Sequence, residues 1–271
     1  MVLAGLLVAG LVAGNASAQT AAQAPGVTLA HTEQREIASK KIGQRYDLLV
    51  SLPHDYETSG KRYPVLYVLD GWHFSLMAFL QNNNIYSEKM PPVVIVNISH
   101  GEDAPTELRG RDFTPVKTAK YANSGGAKLF LEFMEQDVIP FVDRTYRTIP
   151  TDRGLLGHSL GGLFALYALE QRPTLFQRLV VASPAMARDD GSVVAALSRM
   201  KALPSRVRLD LSVGGDAPDD PRTLPPIAKA LEGIKGLEYR STVYPGENHN
   251  SVRLASFPPG MYWVYRPAGS R

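Results

Sequence analysis

Arg153-Gly154-Leu155-Leu156-Gly157-His158-Ser159-Leu160-Gly161-Gly162-Leu163-Phe164 is the stretch whose reading decides the fold. Its first part, Arg153 to Gly157, is short and largely apolar, the pattern of a strand buried on both faces. Its second part opens a helix running to Gln171, with Leu160, Leu163, Phe164 and Tyr167 on one face. Between them, Gly157-His158-Ser159-Leu160-Gly161 fits Gly-x-Ser-x-Gly. A serine on so tight a strand-to-helix turn takes a strained backbone angle. Side chains two before and two after it would collide, which is why both positions are glycine. The turn lifts the hydroxyl above the sheet and aims the positive end of the following helix at the reacting centre. The five-residue pattern alone arises by chance, and its bland reading is a glycine-rich turn with an incidental serine. A strand before it and a helix after it favour Ser159 as a nucleophile.

The same alternation extends outward on both sides. Glu33 to Ser39 and Gln44 to Ser51 read as strands, followed by the buried runs Tyr63 to Leu69, stopped by Asp70-Gly71, and Pro92 to Ile98. Ser124 to Phe141 reads as a helix with Phe130, Phe133, Met134, Val138 and Phe141 on one face. Beyond the serine come a strand (Arg178 to Ala182), a helix (Val193 to Met200), a strand (Val207 to Val213), a helix (Pro225 to Ile234) and a strand (Glu238 to Tyr244). Strands and helices alternating at this spacing predict an α/β protein with a mostly parallel central sheet and helices on both faces. No long polar linker divides the body, so residues 19–271 read as a single domain. In such sheets ligands bind beyond the carboxyl ends of the strands, and the residues just after each strand carry the functional argument.

A serine nucleophile needs a base, and in this kind of sheet the order along the chain is serine, acid, histidine. Of six histidines, His31, His54, His73 and His100 precede Ser159, and His158 lies within its turn. Only His249 follows, in the polar loop Gly246-Glu247-Asn248-His249-Asn250-Ser251 after the last strand. The acid should follow the strand ending at Val213, where the loop offers Asp216, Asp219 and Asp220. A buried carboxylate there would accept from the histidine Nδ1–H and fix its tautomer. Asp216 is nearest the strand and is the first choice, with Asp219 close behind. Alternatively Glu247 orients the ring and the site is a Ser-His dyad. The oxyanion formed in acyl transfer needs two backbone donors. Leu160, after the serine, supplies one, and Trp72, in the loop after Leu69, is expected to supply the other.

Composition narrows the alternatives. With 44% hydrophobic and 20% charged residues the chain has enough apolar material for a sizeable core. A net charge of +3 without a basic cluster gives no footprint for nucleic acid. The absence of cysteine excludes disulfides, thiol catalysis and thiolate zinc. Leu3 to Ala13 is apolar and small, and Ala16-Ser17-Ala18 supplies a small-x-small cleavage pattern. The run is shorter than the roughly 20 residues of a membrane span, so residues 1–18 read as a cleaved signal peptide, without a basic residue before the apolar run. An exported, periplasmic or secreted bacterial protein with no stable membrane insertion after cleavage is the expectation.

With these residues in place, the chain resembles the α/β-hydrolases, and within them the esterase-D-like branch that includes periplasmic siderophore (enterochelin-type) esterases. The resemblance rests on Gln44-Arg45-Tyr46, Tyr63 to Gly71, Gly157 to Gly162, Asn248 to Val252, and Arg109-Gly110-Arg111-Asp112-Phe113-Thr114-Pro115, which is similar to an Arg-x-Arg-Asp-x-Thr-Pro loop of that group. It implies Ser159 as nucleophile, His249 as base, the Trp72 and Leu160 amides as oxyanion donors, a small-molecule ester substrate, and no cofactor or metal. It leaves the acid open. Arg109 is the candidate substrate cation, while Arg111 and Asp112 read equally as ion pairs pinning the loop. The rivals on the same residues are an acyltransferase and a catalytically silent binding protein.

Overall fold

The computed structural model describes residues 28–101, 106–217 and 220–267, the side chains of residues 85, 86 and 220 excepted. The leader read at residues 1–18 lies outside them. In chain order the elements are β1 (Thr32–Ser39), β2 (Gln44–Ser51), α1 (Tyr56–Ser59), β3 (Tyr63–Leu69), α2 (Phe74–Ser87), β4 (Val94–Ser99), α3 (Thr106–Asp112), α4 (Ala127–Phe133), α5 (Ile139–Thr145), β5 (Thr148–His158) and α6 (Leu160–Gln171). They continue with β6 (Arg178–Ala182), α7 (Ser192–Arg199), β7 (Ala202–Gly214), α8 (Asp220–Leu231), β8 (Lys235–Tyr244) and α9 (Val252–Tyr265). The strands form one eight-stranded sheet in the order β1-β2-β4-β3-β5-β6-β7-β8. β1 and β2 pair antiparallel, as do β2 and β4, and every later pair is parallel. The mostly parallel sheet of an α/β-hydrolase is therefore present.

The strand pleat sorts side chains into two cores. Val65, Tyr67 and Leu69 of β3 enter one, with Leu163, Phe164, Phe130 and Leu197 from the helices on that face. Leu66 and Val68, alternating with them, enter the other, with Met77 and Leu80 of α2 and Phe257, Met261 and Val264 of α9. Strands buried on both faces read as continuous apolar runs for this reason, and all seven residues of β3 are buried.

Three helical stretches differ from the sequence pattern, each at proline, one of them α8, which starts at Asp220 instead of Pro225 and holds Pro225 and Pro226 inside it. The helix expected over Ser124 to Phe141 starts at Ala127 and carries a π-helical turn, Met134–Val138, before α5. Pro140, at the start of α5, has no N–H to continue the i→i−4 ladder, and the wide turn beside it absorbs the shift while Met134 and Val138 stay buried. α9, not expected from the sequence, contains Pro258 and Pro259 inside it. It persists because Phe257, Met261 and Val264 are buried against the sheet. Gly260 sits so close to it that a Cβ there would lie 2.6 Å from an Asp210 Oδ2. Among the described residues, no helix is long and apolar enough to cross a membrane.

Candidate active site

Ser159 joins β5 to α6 with φ 58° and ψ −118°, a left-handed conformation that a side chain makes costly. Gly157 is a steric necessity, whereas at Gly161, where a collision is also expected, a Cβ would come no nearer than 3.3 Å, to the Leu69 Cβ, and Gly162 is similarly tight. A Cβ on Gly157 would lie 2.2 Å from the Gly161 carbonyl oxygen, and one on Gly162 would lie 3.1 Å from that of Ala182. The Ser159 amide is fixed by the Ala182 carbonyl at 3.0 Å, so the elbow is anchored to the end of β6.

His249 comes to this serine from the loop between β8 and α9, and its Nε2 lies 3.0 Å from Ser159 Oγ. The loop is laced to the one after β7: the Gly215 amide donates to the Tyr244 carbonyl at 2.8 Å, and the Asp216 amide to the Glu247 carbonyl at 3.0 Å. Gly214 makes this approach possible, since a Cβ there would meet the Glu247 carbonyl oxygen at 2.5 Å. Asp216 itself is exposed, and its Oδ1 accepts the Gly246 amide at 3.2 Å. That is a loop-bridging position, not the buried one expected of a triad acid. The Glu247 carboxylate makes no hydrogen bond among the described residues. Asp219 lies outside the described residues.

The oxyanion loop follows β3. Asp70 takes φ 73°, uncommon for a non-glycine residue, and is 1% exposed. Gly71 is pressed against the end of β4, where a Cβ would sit 2.4 Å from Ser99 Oγ. Trp72 lies in the 3₁₀ turn Gly71–His73, and Leu160 is the first residue of α6. Both N–H groups fall in a first helical turn, where no intrahelical acceptor exists. Trp72 and Leu160 border one cavity of about 480 Å³, together with Arg109, Tyr121 and Arg188. Trp72 also lines a second cavity of about 420 Å³, together with Asn248, Asn250 and Leu254.

Arg109 lines the first cavity, but most of its guanidinium is tied inward. Its Nε donates to Asp70 Oδ1 at 2.6 Å and its Nη2 to Asp70 Oδ2 at 3.0 Å and to the His158 carbonyl at 3.1 Å. The ring of Trp72 lies under it, 5.2 Å from the guanidinium carbon. The expected substrate cation is thus first of all a clamp between the oxyanion loop and the elbow. Burial pushes the Asp70 carboxyl up, and Arg109 pulls against that shift. Arg111 and Asp112 follow the pinning alternative. Arg111 holds Asp112 through two bonds, and buried Asp112 also accepts Tyr46 Oη at 2.6 Å and pairs with His100 Nε2 at 3.0 Å. The Arg111 and Tyr46 partners and His100 bring Asp112 below the usual carboxylate range in spite of its burial.

Two residues near the serine carry no catalytic signal in the sequence. Arg188, after β6, stacks over the Tyr121 ring at 3.4 Å and makes no ion pair among the described residues. His158 is buried beside the nucleophile and its Nε2 lies 2.6 Å from the His249 carbonyl oxygen. Only the fold brings the partners of either one near.

A family model described as "Putative esterase" matches residues 39–252. The chain belongs to that family. It is 32% identical to the ferri-bacillibactin esterase BesA of Bacillus subtilis over 174 residues, covering 59% of this chain and 60% of that one. It is 31% identical to a siderophore triacetylfusarinine C esterase of Aspergillus fumigatus over 169 residues, 59% and 58% of the two chains. The matched segment thus spans about three fifths of the length of these relatives. Among solved structures, the BES protein from Bacillus cereus superposes with a TM-score of 0.78 at 26% identity, over 92% of this chain and all (100%) of the other. An IroE-like serine hydrolase from Shewanella oneidensis gives 0.75 at 24% identity, over 86% and 80%, a likeness of fold.

Proposed function

We propose that this family member is a serine carboxylic-ester hydrolase acting through an acyl-enzyme. The observation that carries the reading is His249 Nε2 at 3.0 Å from the hydroxyl of a serine held at φ 58°. His249 takes the Ser159 proton as the oxygen attacks the ester carbonyl, and the Leu160 and Trp72 amides receive the negative charge. The imidazolium then protonates the departing alcohol, and water repeats the sequence to release the acid. The exposure of Asp216 and its bond to Gly246 favour Asp219 as the carboxylate behind His249.

The substrate class we assign is a small acyl ester whose acid part carries negative charge. Two of the relatives are named for siderophore esters, and Arg188 offers a cation without a counter-ion among the described residues in the cavity beside Leu160. Residues 1–18 are taken as an export signal and 19–271 as the mature domain, released to the periplasm or the medium. A fluorophosphonate probe should add covalently to Ser159, located by peptide mass spectrometry, and purified protein should cleave p-nitrophenyl acetate. Intact protein that neither labels nor hydrolyses short esters, feruloyl esters or tri-catecholate lactones would overturn the hydrolase reading.

A further inference from the structure

His158 occupies the variable position of Gly-x-Ser-x-Gly, where the turn itself demands no particular side chain. In this chain both ends of the residue are bound to other parts of the site. Its carbonyl accepts Arg109 Nη2 at 3.1 Å, and the same guanidinium holds Asp70 through two bonds. Its ring, 3% exposed, reaches the backbone carbonyl of His249 through Nε2 at 2.6 Å. The His158 and His249 rings also lie against each other, with centroids 4.8 Å apart. One residue therefore connects the oxyanion loop, the nucleophile elbow and the loop that delivers the base.

We propose that His158 is a positioning residue: its Nε2–H holds the His249 backbone so that His249 Nε2 stays within reach of Ser159 Oγ. This rests on the hydrolase reading above and adds a role that the serine motif does not require.

The chemistry selects the donor. A carbonyl oxygen only accepts, so Nε2 must carry the proton, and a neutral ring with Nε2–H meets that requirement. Burial keeps it neutral, lowering its pKa to about 3. The bond therefore does not titrate at neutral pH. Without it, the loop has its laces to the Gly215 and Asp216 segment, which fix the chain before His249. The residues after it are clasped locally, Asn248 Oδ1 accepting the Asn250 and Ser251 amides at 2.8 and 3.0 Å, while the His158 bond acts on the His249 carbonyl itself and the Ser159 contact is one that catalysis must break and remake. A displacement of about 1 Å in a reacting group can cost roughly 10²-fold in rate.

The test compares His158→Gln, whose amide can donate over a similar reach, with His158→Leu, which fills space and donates nothing. Both are assayed on p-nitrophenyl acetate and by the rate of covalent labelling with a fluorophosphonate. His158→Leu should lose about 30- to 100-fold in kcat and in labelling rate, with KM within about threefold. His158→Gln should recover at least tenfold of that loss. A Leu variant within threefold of wild type in both rates overturns the proposal. So does a Gln variant no faster than Leu when both have native circular dichroism, because only packing is then at stake. If His158→Leu does not fold, His158→Asn serves as the second probe, since its amide can donate but is too short to reach the His249 carbonyl. It should fall at least about tenfold below His158→Gln in kcat with KM little changed, and an Asn variant as fast as Gln would overturn the proposal. Wild-type protein inert to both reagents would instead count against the hydrolase reading itself.

Discussion

The elbow around Ser159 and the loop that carries His249 supply the two reacting groups, and they are held in opposite ways. The elbow is fixed by its own neighbours. A Cβ on Gly157 would strike Gly161, four residues on, and the turn hangs between β5 and α6, which adjoin it in sequence. The His249 loop has a local turn, in which Asn248 Oδ1 accepts the Asn250 and Ser251 amides, but it is placed against the serine by groups distant in the chain: Gly214 at the end of β7, Gly215 and Asp216 after it, and His158 from the elbow. Geometry that a short peptide dictates can be read from that peptide. Geometry assembled from distant loops cannot. The two regions should also respond differently to substitution.

The largest effect belongs to the locally fixed partner. Ser159→Ala removes the nucleophile and leaves binding and the oxyanion amides in place. Where such a residue was removed from a serine protease, kcat fell by about 10⁶. Here Ser159→Ala should lose at least 10⁴-fold in kcat on p-nitrophenyl acetate with an unchanged melting temperature. Hydrolysis at the wild-type rate would remove Ser159 from the mechanism and the elbow from its side of the comparison.

The next effect probes the distant side. Asp216→Asn keeps an oxygen that can accept the Gly246 amide and should change kcat by less than about fivefold. Asp219→Asn, if Asp219 orients the base, should lower kcat by about 10³- to 10⁴-fold, as replacing a triad carboxylate by its amide does. The reverse ranking would return the acid to Asp216. Two near-neutral variants would leave a Ser-His dyad.

This is also where the sequence ceased to be legible. The boundaries of β2, β3, α6 and β6 coincide with those the apolar pattern implies, because β3, α6 and β6 are largely buried apolar runs and β2 alternates buried Tyr46, Leu48 and Val50 with more exposed residues between them. The sequence carries no helical signal for α2, since Gln81, Asn82, Asn83 and Asn84 interrupt any apolar stripe. Two of these polar side chains are nevertheless buried, Gln81 bonding the Val93 carbonyl at 2.6 Å and Asn84 that of Met90 at 2.8 Å. α9 was hidden by its prolines. Within the site, Ser159 and His249 were legible from motif and chain order. The acid was not, because one polar loop offers three carboxylates and nothing local says which turns inward. Asp70 read only as the end of a strand, although its bidentate bond to Arg109 holds the oxyanion loop.

A third prediction concerns the buried imidazoles beneath the elbow. Burial lowers His73 and His158 to about 3. The unfolded chain binds those protons near pH 6.5 and the folded chain does not. Stability is therefore fully present above pH 6.5 and falls as the pH drops from about 6.5 toward 3, by up to about 1.4 kcal/mol per pH unit for each histidine. His73 is the better probe, since its Nε2 is buried without a partner and its ring packs edge-on against Phe257. His73→Phe should flatten the fall in urea-unfolding stability between pH 7 and pH 5. A slope equal to wild type would show that the His73 ring does not stay neutral in the folded chain.

The smallest effect sharpens the comparison at the substrate. Arg109 and Arg188 border the same cavity, yet one is bound by Asp70 and the other stacks on Tyr121. Removing Arg109 strips the counter-ion from a carboxylate that is 1% exposed, so its loss would disturb the oxyanion loop together with any substrate contact. Arg188 carries no such structural duty among the described residues and can report on the substrate alone. A half-exposed cation meeting a substrate anion contributes on the order of 1 kcal/mol. Arg188→Gln should therefore raise KM about five- to tenfold for esters of anionic acids such as succinate monoesters, with kcat nearly unchanged. It should leave KM for p-nitrophenyl acetate within twofold. An equal change for both would mean that Arg188 shapes the cavity without reading charge, and the preference for an anionic acid would have to come from the one nitrogen of Arg109, Nη1, that its internal bonds leave over.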